Sequence, residues 1–104
     1  MSERYRGHAN ITPKGRPQQD AVIDIEKLEN GRTRFRIGDY GEGEAQADEH
    51  EQFTDAPFAS GSRQHRVRGM IEQSEDGIHG GFTVERDGRE LARGRFRATK
   101  TQNP

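Results

Sequence analysis

Arginine returns at every second residue in several segments of this chain: Arg4-Tyr5-Arg6, Arg32-Thr33-Arg34-Phe35-Arg36, Arg66-Val67-Arg68 and Arg93-Gly94-Arg95-Phe96-Arg97. A spacing of two is the side-chain period of an extended strand, where neighbours point to opposite faces. The residues between the arginines are apolar or small. Each segment therefore reads as a half-buried strand with a charged outer face. The pattern constrains how the chain folds and names no activity.

The rest of the sequence is consistent with short strands joined by turns. Residues 3–12 place Tyr5, Gly7, Ala9 and Ile11 on one face and Arg4, Arg6, His8 and Asn10 on the other. Two prolines and a glycine make residues 12–17 a loop. Residues 20–28 and 32–38 form a hairpin around Glu29-Asn30-Gly31, and its register follows from the side chains. A two-residue turn would set apolar Ile25 against Arg36. A three-residue loop with Gly31 in the left-handed position instead pairs Ile23 with Ile37, Ile25 with Phe35, Asp24 with Arg36 and Glu26 with Arg34, so both faces agree.

A three-strand meander is predicted over residues 64–74, 78–86 and 89–99. An Asp76-Gly77 turn would pair Ile71 with Phe82 and Gly69 with Val84. At the second turn, Arg86-Asp87-Gly88, a two-residue loop sets Val84 against Leu91 but puts Phe96 and Ala98 on the wrong face; a bulge near Gly94 would repair this, and the register of the hairpin stays open. Residues 40–47 suggest a short edge strand, weakened by Gly41 and Gly43. Residues 48–62 read as a long loop with at most one helical turn near 48–53. Residues 1–2 and 100–104 read as loose termini.

Composition bounds the architecture. A chain of 104 residues makes one domain, here 1–104. Hydrophobic residues are 27% and charged residues 34%, close to the disordered range, but net charge is only −1 and the apolar positions are periodic. A chain of this size buries about 60% of its unfolded surface, and no cysteine is present to add a disulfide. The thin core invites self-association or a partner. No apolar run resembles a signal peptide or a membrane span, which makes the cytoplasm the expected compartment. The fold class expected is all-β: a small antiparallel barrel or sandwich of six to eight strands built from hairpins.

Few residues suggest chemistry. All but three of the 17 basic residues (Lys14, Lys27 and Lys100) are arginine, the side chain suited to planar contacts with carboxylates and phosphates. Arg66, Arg68, Arg93, Arg95 and Arg97 are candidate partner-binding residues on that ground, against the plainer reading of a solvated face with cross-strand ion pairs. Phe53, Pro57 and Phe58 are candidates because two phenylalanines in a polar loop form either an exposed anchor or a structural plug. The acidic stretch 39–52 mimics nucleic-acid charge, meets a basic partner or answers the protein's own arginines, the last being favoured. Asp48, Glu49, His50 and Glu51 match no metal-binding spacing, and no histidine or serine sits in a catalytic one. No cofactor is implied.

These features point to a non-catalytic interaction module whose partner is another protein, with homodimerisation through sheet edges as one route. The alternative is a small lipocalin-like barrel holding a ligand in a pocket lined by Tyr5, His65 and Glu90. Nucleic-acid binding is least favoured, because net charge is near zero and exposed aromatics for base stacking are lacking.

Overall fold

The computed structural model describes residues 3–29, 31–38, 40–46, 52–60 and 63–101, with the side chains of 52–60 and 63 outside that description. Eight antiparallel strands follow one another around a closed barrel: β1 (Glu3–Pro13), β2 (Gln19–Lys27), β3 (Arg32–Ile37), β4 (Gly41–Gln46), β5 (Gln52–Ser60), β6 (Arg63–Gln73), β7 (Gly77–Arg86) and β8 (Arg89–Lys100). Each strand pairs with its sequence neighbours, and β8 closes the ring on β1 with Tyr5 opposite Lys100 and Pro13 opposite Ala92.

Alternation decides what fills the barrel. Along β3, Thr33, Phe35 and Ile37 are buried while Arg32, Arg34 and Arg36 are exposed. The same period buries Tyr5, Ala9 and Ile11 from β1, Ile23 and Ile25 from β2, and Phe96 and Ala98 from β8. Phe35, Ile71, Phe82 and Phe96 all face the interior as the pattern requires, and Phe82 packs on Phe96 with ring centroids 6.5 Å apart. One small cylinder needs few apolar side chains, which is how a 27% hydrophobic chain fills a core. The interior is apolar and the outer wall charged, the reverse of a membrane-spanning barrel with its apolar outer band. Among the described residues, no helix is long and apolar enough to cross a membrane.

The first hairpin has the expected register, including Ile23 opposite Ile37 and Glu26 opposite Arg34, and Gly31 turns with φ 81°. The other elements depart from expectation in four places. First, β6 and β7 pair Gly69 with Phe82 and Ile71 with Gly80, two residues from the register given by an Asp76-Gly77 turn. The turn is centred on Glu75-Asp76, closed by Ser74 N–H donating to the Gly77 carbonyl at 2.8 Å. Gly77 serves packing instead: a Cβ there would collide with the Ala98 carbonyl of β8. A shift of two keeps every side chain on its face, so the core is unaffected.

Second, the bulge that restores Phe96 and Ala98 to the interior falls at Leu91 rather than near Gly94. Glu85 pairs with Glu90 and Val84 with Ala92, leaving Leu91 as the extra residue and exposed. The turn before it has two residues, with φ positive at both Asp87 (53°) and Gly88 (77°).

Third, residues 48–62 are not one long loop, since β5 occupies 52–60. A bulge between Phe53 and Ala56 breaks its period, and Pro57 marks it as a non-strand on sequence criteria alone. With β5 present, β4 is no edge strand: it pairs with β3 along its length and with β5 at Glu42 and Gly43. Fourth, the tail begins later than Lys100. That residue ends β8, and Thr101 N–H donates to the Arg4 carbonyl at 2.9 Å. Residues 1–2 and 102–104 lie outside the described residues.

Candidate functional site

The outer wall carries two arginine ladders of the same design, Arg32-Thr33-Arg34-Phe35-Arg36 on β3 and Arg93-Gly94-Arg95-Phe96-Arg97 on β8. In each, the phenylalanine faces the core and the arginines face out. Their surroundings differ. The β3 ladder has acidic neighbours on both sides, because Arg36 pairs with Asp24 and Glu42, and Arg34 with Glu26 and Glu44. Glu44 lies 3.2 Å from Arg32 and 4.0 Å from Arg34, and Glu26 lies 3.6 Å from Arg34 on the other side. The acidic segment thus answers the protein's own arginines where it is described. Asp39, Asp48, Glu49, His50 and Glu51 lie outside the described residues.

Around Arg93, Arg95 and Arg97 of β8 no paired neighbour is acidic. Arg97 sits between His8 and His79, Arg95 between Asn10 and Gly81, and Arg93 between Thr12 and Thr83. Arg93 reaches back along its own strand to Glu90 at 2.7 Å. Among the described residues, no carboxylate lies within ion-pair distance of Arg95 or Arg97. His79 is held by Glu72 at 3.1 Å, one strand further away. These side chains rim an open groove across β1, β8, β7 and β6, with about 1350 Å³ of space above the sheet. Gly81 leaves its floor bare, and Met70, an exposed apolar side chain, stands next to it on β6.

The predicted site residues divide between walls. Arg93, Arg95 and Arg97 form the centre of the groove. Arg68 joins them at the β6 side, where it is held by Glu85 at 2.8 Å. Arg66 lies beyond it, opposite Glu85. Phe53, Pro57 and Phe58 belong to β5, whose backbone is separated from Arg93, Arg95 and Arg97 of β8 by β6 and β7 but pairs Pro57 directly with Arg66. Their side chains lie outside the described residues. The backbone places Phe53 opposite Gly69 and Phe58 opposite His65.

Sequence reading missed His8, Asn10, Gly81 and Met70 as parts of one surface. Their proximity depends on β8 pairing with β1 across almost the whole chain and on the β6–β7 register, neither of which a local pattern encodes. The run His79-Gly80-Gly81 was the available signal, because adjacent glycines inside a strand mark a bulge or a close backbone approach. Gly80 is such a close approach: a Cβ there would collide with the Met70 carbonyl. Gly81 is different, since its Cβ would meet only the Gly94 carbonyl oxygen at 3.5 Å, an ordinary contact.

The interior offers little. Among the described residues, its cavity is about 20 Å³, lined by side chains such as Ile25, Phe35, Ile71 and Phe82, which is space for roughly one water. Tyr5, His65 and Glu90 do not converge. Tyr5 lies at the Lys100 end of β1, whereas His65 and Glu90 lie at the opposite end, near the β7–β8 turn. The Tyr5 hydroxyl donates to Glu3 at 2.7 Å. This hydrogen bond, with the Lys100 ammonium 3.7 Å away, holds the Glu3 carboxyl below the usual carboxylate range. No group of metal-ligating side chains occurs among the described residues. Comparison with protein-family profiles, with curated proteins and with solved structures finds no match.

Proposed function

We propose that this chain is a non-catalytic interaction module that binds another protein through the arginine face of β8. The observation that carries the reading is the contrast between the ladders. Arginines of β3 are flanked by carboxylates, while Arg95 and Arg97 have none beside them among the described residues. Such charge draws an anionic partner and favours fast, salt-sensitive encounter. The groove exceeds the volume of a typical small-molecule pocket, roughly 300–1,000 Å³, and suits a macromolecular surface better. Closure of the sheet leaves self-association to faces of the barrel rather than free edges. The cytoplasm is the compartment proposed.

The test is capture from native lysate with the intact chain, with Arg95→Gln/Arg97→Gln and Phe53→Ala/Phe58→Ala as parallel baits. The reading expects a captured protein that is lost with the arginine pair and kept with the phenylalanine pair. Capture indifferent to the arginines would move the site away from β8, and a protein that binds nothing at low salt would remove the proposal.

A further inference from the structure

We infer that the β8 groove receives an extended acidic segment of the partner, with carboxylates at every second residue, laid along Arg93, Arg95 and Arg97. The inference rests on the interaction-module reading and adds the chemistry of the partner. Three observations support it.

The first is a precedent inside the same molecule. The ladder Arg32-Thr33-Arg34-Phe35-Arg36 is met by the strand Gly41-Glu42-Gly43-Glu44, whose acidic residues also alternate. Glu44 bonds Arg32 and lies against Arg34. β4 does so as a sheet neighbour of β3, whereas both sheet positions beside β8 are filled by β1 and β7. What carries over to a segment laid on the outer face is the matched charge spacing, Glu-x-Glu against Arg-x-Arg. The second ladder repeats the sequence pattern, and no acidic residue stands at the positions paired with it.

The second observation is the repeat. Alternate residues of a strand lie about 6.6 Å apart. An extended peptide with acids at every second position has the same interval, so its carboxylates keep step with successive arginines. A block of contiguous acids would send half of its charge to the wrong side.

The third is Gly81. Glycine within a strand weakens it, and here no left-handed φ or steric clash demands one, because a Cβ would meet a single atom at 3.5 Å. Its bare position faces out directly beside Arg95, between that side chain and Met70. A gap of this kind lets the backbone of a docked segment approach the sheet, and the Met70 side chain gives its non-acidic residues an apolar contact.

The experiment is fluorescence anisotropy at low salt with the intact chain and three labelled probes. These are a short capped peptide of alternating Glu and Thr, a peptide of the same composition with its glutamates contiguous, and a short oligothymidylate. The alternating peptide is expected to bind tightest, and Arg95→Gln/Arg97→Gln to weaken it about tenfold. Gly81→Thr is expected to fold, with an unchanged or higher melting temperature, and also to weaken the peptide about tenfold by filling the groove. Equal binding of the two peptides, tighter binding of the oligonucleotide, no binding, or full binding by either folded variant would each overturn the inference. If the peptides fail while capture from lysate still depends on Arg95 and Arg97, the interaction module stands and only the acidic-strand partner is lost. If both fail, the module falls too.

Discussion

Single atoms decide which glycines this barrel tolerates losing. At Gly94 a Cβ would collide with the ring of Phe82, which is fixed in the core by Phe96. Gly94→Ala should therefore destabilise the fold by about 1–3 kcal/mol, the usual range for overpacking. Gly81→Ala meets only ordinary contact and should stabilise by about 0.5–1 kcal/mol through reduced freedom of the unfolded chain. Thermal melts of the two variants should move in opposite directions from the parent, and a shared direction would contradict the packing described. Glu3 gives a second test at this scale. Its carboxyl titrates below the usual value because the Tyr5 hydroxyl donates to it and Lys100 lies close by. A depressed folded pKa contributes stability that is complete above the unfolded value, about 4.3, and is lost as pH falls through the folded value. Tyr5→Phe should be less stable than the parent at pH 7. Urea melts repeated at lower pH should show that gap shrinking once Glu3 is protonated, and a gap constant from pH 7 to pH 3 would mean that the hydroxyl acts through something other than Glu3.

Strands and turns show what a period of two can encode. Leu91 is exposed and offers little packing, yet it is the residue that resets β8 so that Ala92, Phe96 and Ala98 turn inward. Leu91→Gln should change stability by no more than about 0.5 kcal/mol. Deleting Leu91 should leave a folded barrel, because Glu85–Glu90 and Val84–Ala92 then follow one another in a regular ladder and every later residue keeps its face, whereas deleting Arg93 should prevent folding by slipping the rest of β8 by one residue. Circular dichroism and an amide NMR spectrum distinguish the outcomes, and a Leu91 deletion that does not fold would show that the bulge itself is needed. The need for that bulge was legible in the sequence, since Phe96 and Ala98 fell on the wrong face without it, but its position was not. A bulge fits anywhere between the turn and the first misplaced core residue, and only the contact of β8 with β1 fixes it. Gly77 misled for a related reason. Asp-Gly is the commonest signature of a tight turn, yet here the glycine answers the close approach of Ala98, a contact between strands that sequence order conceals. The strand β5 was illegible because bulge and proline both erase alternation. The first hairpin was read correctly because charge and apolarity on its two faces required the same register. Of the candidate site, Arg93, Arg95 and Arg97 were visible from their spacing, but the lack of acidic neighbours around them depends on which strands flank β8.

The closed ring explains how so thin a core is enough, and where it is weakest. Closure pairs the first strand with the last, so neither end of the meander is left as an exposed edge. It also ties the barrel's stability to a long-range junction between Tyr5 and Lys100 at one end and Pro13 and Ala92 at the other. The β1–β8 ladder is long and continuous. By contrast, among the described residues, β4 and β5 pair in register at Glu42–Ala59 and Gly43–Phe58 alone. Few ladder bonds, a glycine-rich strand and a bulged neighbour make this seam the cheapest place to open the cylinder. Opening there exposes one face of the interior while β6, β7, β8, β1 and β2 remain a continuous sheet that keeps the arginine groove intact. Native-state hydrogen exchange followed by NMR should show β4 amides directed toward β5 exchanging through a partial opening that responds weakly to denaturant. Amides joining β1 to β8 should exchange only with global unfolding and with its full denaturant dependence. Uniform protection around the ring would mean that the cylinder unfolds as one unit. The expected gradient would instead identify a sheet centred on β8 as the rigid scaffold on which the binding face is built, with the β4–β5 wall as the part that yields.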